Sequence, residues 1–169
     1  MTAPATPLPG DYGVSHGSGI IGELIRHATE SWAGHAFIYI GHGLIAEGIP
    51  PATRITSVHA HPDAIWNTGE LAPNDAKRQL ITARAQALTG TPYDYPAYIA
   101  FALELLHIRN GKQLDPLFRR DRWRVCSADV ADAYHYAGLD LTAGLPYPNL
   151  VSPADLYDRI ARLKGSRND

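Results

Sequence analysis

Between His35 and Glu47 the chain alternates so regularly that a β-hairpin is the one local structure that fits it. The even positions, Ala36, Ile38, Ile40, Leu44 and Ala46, are all apolar, and the odd ones are His35, Phe37, Tyr39, Ile45 and Glu47. A repeat of two is the side-chain repeat of a strand, and Gly41-His42-Gly43 supplies a turn. Read as a three-residue loop, this turn pairs Ile40 with Leu44 and keeps parity across both strands. The even set then faces a dry core and the odd set shares the other face. His35 and Glu47 become diagonal neighbours, close enough for a carboxylate to orient an imidazole. A loop of two or four residues would put Glu47 on the opposite face. The hairpin alone leaves open an exposed strand pair with an incidental histidine and glutamate.

The rest of the chain divides around this hairpin. The Pro-rich residues 1–9 read as a poorly ordered lead-in, and residues 10–169 as a single domain. A short strand runs from Gly10-Asp11 to Ser15. A turn at His16-Gly17-Ser18-Gly19 leads into a helix over 19–30, with Ile20, Ile21, Leu24 and Ile25 at helical spacing. Two weaker strands follow the hairpin, Thr53–Val58 and Ala64–Thr68. The second half is helical: from Pro73-Asn74 to about Thr89, Tyr95–His107, Ser127–Ala137 stopped by Gly138, and a last helix to about Leu163. Ser152-Pro153-Ala154-Asp155 opens that last helix with a capping serine, proline at the first helical position and a carboxylate three residues on from the serine. Strands gathered in the first half and helices in the second give an α+β class, not alternating βαβ.

The 169 residues are 45% hydrophobic and 19% charged, with a formal charge of −2. That is a globular balance, and nothing in it asks for nucleic acid or an anionic membrane as partner. The start has neither a basic n-region nor an apolar h-region, so the chain is expected to be cytoplasmic as synthesised, with export by another route left open. The longest apolar run, Tyr98–Leu106, is far short of a membrane span, so no stable insertion is expected. Oligomeric state leaves no mark in the sequence.

The single cysteine cannot form an internal disulfide. Cys126 precedes Ala128, Val130, Ala131, Tyr134 and Ala137, an apolar helical face, and so sits at or just before a helix start. Unpaired backbone N–H groups and the positive end of the dipole there stabilise a thiolate and can hold an oxyanion. A nucleophilic cysteine needs these together with a nearby imidazole. A buried apolar cysteine is the competing reading.

Taken in order, several segments resemble the circularly permuted NlpC-type branch of the papain-like cysteine hydrolases. They are Gly10-Asp11 with its strand, Ser31-Trp32-Ala33-Gly34-His35 running into Ala36–Gly41, Leu44-Ile45-Ala46-Glu47, Gly90-Thr91-Pro92-Tyr93, Cys126-Ser127 through Ala137-Gly138, and Ser152-Pro153-Ala154-Asp155. The resemblance spans residues 10 to about 160 and accounts for histidine preceding cysteine. It implies a permuted papain-like fold, a small antiparallel sheet or half-barrel against helices. It implies Cys126 as nucleophile, His35 as general base and acid, Glu47 as the orienting third member, and Tyr93 beside the thiol in contact with substrate. The lecithin retinol acyltransferase group shares the permutation but carries a second histidine where Glu47 stands, which favours the bacterial hydrolase branch. The implied activity is hydrolysis of an amide or peptide bond through a thioester, with cell-wall peptides as one substrate class and no cofactor. Acyl transfer or lipid deacylation is the alternative within the fold, and a catalytically silent binding module is the alternative outside it.

Other residues carry weaker signals. His59-Ala60-His61-Pro62-Asp63 invites a metal, but no third ligand stands at a clear spacing, so a surface loop and no metal are expected. His135 lies about two and a half turns from Cys126, too far to act on it. His16 could line the cleft, and Asp129 and Asp132 suit a helix start without further role. Residues 95–124 join an apolar stretch to an arginine-rich one, a candidate lid or specificity element.

Overall fold

The structure is a computed structural model and describes residues 6–67, 74–92, 126–145 and 151–165. Tyr93, the helix expected at Tyr95–His107 and the candidate lid lie outside the described residues. The elements are β1 (Tyr12–Ser15), α1 (Gly19–Thr29), β2 (His35–Gly41), β3 (Leu44–Glu47), β4 (Arg54–Ser57), a 3₁₀ turn (Val58–Ala60), β5 (Ile65–Trp66), α2 (Asp75–Ala87), α3 (Cys126–Tyr136) and α4 (Pro153–Gly165). The class is α+β: an open five-stranded antiparallel sheet in the order β4-β3-β2-β1-β5, with four helices among the described residues. None of these helices is long and apolar enough to cross a membrane.

The even face of the hairpin meets the helices, as the alternation requires. Ala36, Ile38 and Ala46 join Tyr12 and Val14 of β1 in one buried cluster with Ile81 and Ala85 of α2, Val130 and Tyr134 of α3, and Leu156 and Ile160 of α4. Each fully buried large aliphatic side chain here contributes on the order of 2 kcal/mol. Tyr12 and Tyr134 meet edge to face at the centre, with ring centroids 5.7 Å apart. Their hydroxyls stay satisfied because each donates to a backbone oxygen, Tyr12 to Leu156 at 3.2 Å and Tyr134 to Gly10 at 2.7 Å.

The opposite face carries an aromatic layer. Trp66 lies edge-on to Phe37 at 5.3 Å and to Tyr39 at 5.9 Å. Gly13 lets them close up: a Cβ there would lie 2.6 Å from Phe37 and 2.8 Å from Trp66.

Two features of the hairpin differ from the sequence expectation. The turn has two residues, not three, with His42 at φ 53° and Gly43 at φ 71°, and Gly41 pairs with Leu44. A two-residue turn by itself would reverse the parity, but a bulge between Tyr39 and Gly41 absorbs one residue. Register below the bulge is therefore the expected one, Phe37 opposite Glu47 and Ile38 opposite Ala46. Leu44, assigned to the dry face, is 39% exposed because it lies beyond the bulge at the hairpin tip. Residues 8 and 9 of the expected loose lead-in are tied down: the Leu8 N–H donates to Asp11, and the Arg78 guanidinium donates to the Pro9 carbonyl.

Both expected helix starts are capped. Asn74 accepts from the Lys77 N–H at the start of α2. Ser152 and Asp155 bond reciprocally at the start of α4, the Ser152 N–H donating to the Asp155 carboxylate and the Asp155 N–H to the Ser152 hydroxyl.

Candidate active site

His35 opens β2 opposite Ser15, and Glu47 ends β3 opposite Phe37. The retained parity puts both side chains on the face away from the main core. The His35 Nε2–H donates to Glu47 Oε2 at 2.8 Å, with His35 7% exposed and Glu47 1% exposed. Cys126 is the first residue of α3 and is buried. Charge and hydrogen bonding from its sulfur act on the His35 imidazole; with Nε2 committed to Glu47, Nδ1 is the ring nitrogen left to face it. The N-terminus of α3 is fastened from two sides. The Ser127 hydroxyl donates to the Val151 carbonyl at 2.7 Å, and the Thr53 hydroxyl donates to Asp129 at 3.2 Å.

Glu47 holds more than His35. Its Oε2 also accepts from His61 Nε2 at 2.7 Å, and its Oε1 accepts from Arg54 Nε at 2.9 Å and Nη2 at 2.8 Å. His61 in turn meets Ser15 Oγ through Nδ1 at 3.2 Å and stacks on Phe37 with centroids 4.6 Å apart. Burial alone would raise the Glu47 carboxyl; the hydrogen bonds from His35 and His61, the charge of His35 and the hydrogen bond from Arg54 outweigh it and hold it far below the usual carboxylate range. Burial alone would lower His35; the charge and hydrogen bond of Cys126, followed by those of Glu47, raise it to about 9. At neutral pH the centre is therefore an imidazolium held between sulfur and carboxylate.

An open pocket of about 540 Å³ borders the site. His35 and His61 stand at its edge, and its walls include Ile20, Ile21, Leu24, Ile49 and Pro50; among the described residues its lining has no acidic or basic side chain other than the two histidines. Ile20 is 84% exposed and adds apolar surface to the pocket wall.

The structure thus brings together Cys126, His35 and Glu47, three of the four residues expected at the site, while Tyr93 lies outside the described residues. It corrects the reading of 59–63 as a surface loop: His59 is exposed, but the His61 ring is turned inward onto Glu47 and Phe37. The 3₁₀ turn after β4 carries it back over the odd face, and the Asp63 carboxylate secures the return by accepting the His16 N–H at 2.8 Å. His61 and Arg54 are neighbours of Glu47 that spacing does not reveal; the one local signal is the His-x-His-Pro-Asp turn itself. His135 is exposed, and the His16 ring lies beside Trp32, 6.0 Å away. Asp132 pairs with Arg84 at 2.7 Å on the surface. No protein-family model matches the chain, and no curated protein is found to be similar to it.

Proposed function

We propose that this chain is a cysteine hydrolase of the permuted papain-like kind, cleaving an amide or peptide bond through a thioester. One observation carries the reading: the buried His35 imidazole hydrogen-bonds the buried carboxylate of Glu47 and is acted on by the sulfur of Cys126 at the start of a helix. A binding module has no need of that chain of contacts. In this mechanism the Cys126 thiolate attacks the substrate carbonyl carbon, and backbone N–H groups at the start of α3 receive the oxyanion. The carbon–nitrogen bond breaks as the His35 imidazolium gives its proton to the leaving amine. His35, now neutral, takes a proton from water, the hydroxide attacks the thioester, and the acid leaves as the thiolate returns. Glu47 keeps its charge throughout and orients and stabilises the imidazolium. The open sheet with the cysteine helix against its strands supports the papain-like assignment.

The pocket favours a second reading for the acyl side. Its aliphatic walls beside His35 suit an apolar acyl group, so lipid deacylation or acyl transfer shares the same thioester.

The test is an acyl-enzyme trap with a panel of p-nitroanilide and ester substrates of increasing acyl length. Mass spectrometry should find the adduct on Cys126, absent in Cys126→Ala. Glu47→Gln should lower kcat by about a hundredfold with little change in KM, since it removes charge and keeps shape. Turnover that persists in Cys126→Ala would end the reading.

A further inference from the structure

The three side chains around Glu47 Oε2 have more in common than hydrogen bonds. A ring nitrogen of His35, a ring nitrogen of His61 and a Glu47 oxygen all lie within 4.8 Å of one another. We propose that His35, Glu47 and His61 form a site for a zinc-like divalent cation, and that occupancy withdraws His35 from Cys126 and switches the thiol off. Two imidazoles and one carboxylate with an open fourth position make up a known zinc ligand set.

The present spacings are those of hydrogen bonds, 2.8 Å and 2.7 Å from the two Nε2 atoms to Oε2. Zinc at about 2.1 Å from each ligand would need these edges to open to about 3.4 Å. The shift of about 0.6 Å is within the reach of side-chain torsions. The outer partners are already in place. Ser15 Oγ stands 3.2 Å from His61 Nδ1 and can accept a hydrogen bond from the Nδ1–H when Nε2 turns to the metal. The Arg54 guanidinium occupies Oε1 and leaves Oε2 to the ion. The fourth position opens on the pocket bordered by His35 and His61, which gives an entry path and room for a water. Cys126 is not among the side chains whose ligand atoms gather here, so the set is all nitrogen and oxygen. The withdrawal of His35 rests on the hydrolase reading; the binding does not.

Cobalt(II) and zinc titrated into the full-length chain test both parts. One ion per chain is expected, with the visible bands of four-coordinate cobalt and no thiolate-to-cobalt charge-transfer band, unchanged in Cys126→Ala. Calorimetry should show Ser15→Ala weakening zinc about tenfold and His61→Ala and His61→Asn weakening it further, with circular dichroism confirming that each variant folds. Saturating zinc should slow iodoacetamide labelling of Cys126. Absence of one-to-one binding, binding lost in Cys126→Ala, or wild-type affinity in both folded His61 variants would overturn the site. Labelling untouched by saturating zinc would overturn the switch, and a chain whose thiol never reacts would still have its metal site decided by the cobalt spectrum.

Discussion

Glu47 is the residue on which this site turns. A carboxylate 1% exposed would be costly alone, yet it accepts hydrogen bonds from His35, His61 and Arg54, so its charge is the stable form. His35 is the mirror case, an imidazole kept charged up to about pH 9 by the sulfur and the carboxylate despite burial. The two make opposite demands on pH. His35 titrates near 6.5 when unfolded and about 9 when folded, so its stabilisation is complete below the lower value and is lost as pH rises through the upper. The Glu47 contribution is complete above the ordinary carboxylate range and is lost as pH falls below it. Urea unfolding across this range should therefore show wild-type stability declining from roughly pH 7 to 9.5, with a flatter profile in His35→Gln. Parallel profiles in the two proteins would show that the His35 pairing does not couple to folding.

At the scale of elements, the hairpin works because two departures cancel. The His42-Gly43 turn suits positive φ at both of its residues, and the bulge above Tyr39 restores the face that the short turn would reverse. Glycine at 13 in β1 then lets Phe37 and Trp66 touch, and Phe37 is the platform on which His61 stacks. Gly13→Ala should push both rings and cost about 1–3 kcal/mol. Its more telling effect should be on His61, whose imidazole NMR signals should move while those of the exposed His135 stay put. An unchanged His61 spectrum in a destabilised variant would uncouple the aromatic layer from the site. The alternation at 35–47 was legible because one face of the sheet is buried by helices; the bulge was not, since it depends on the backbone geometry of the turn and changes no side-chain pattern.

Across the whole molecule, distant segments are tied at Tyr134. Its hydroxyl donates to Gly10 just before β1 and accepts from Asn67 just after β5, so α3, the start of the sheet and its far edge share one buried oxygen. Tyr134→Phe removes both bonds without a cavity and leaves the Gly10 carbonyl and the Asn67 amide without that partner. It should cost about 1–3 kcal/mol in thermal or urea unfolding, with Cys126 chemistry little changed because the change lies on the core side of α3. A cost near zero would mean that water replaces the hydroxyl. Local pattern was enough for the α+β class, the hairpin parity, the caps at Asn74 and Ser152, and the helix start at Cys126, because each depends on residues within a few positions of one another. The convergence of His35 on Cys126 spans ninety-one positions and followed from resemblance alone. His61 and Arg54 had neither period nor motif. They reach Glu47 only because β4 pairs with β3 and the turn after it folds back over the odd face, and a contact made by chain return is a property of tertiary packing that no short window of sequence contains.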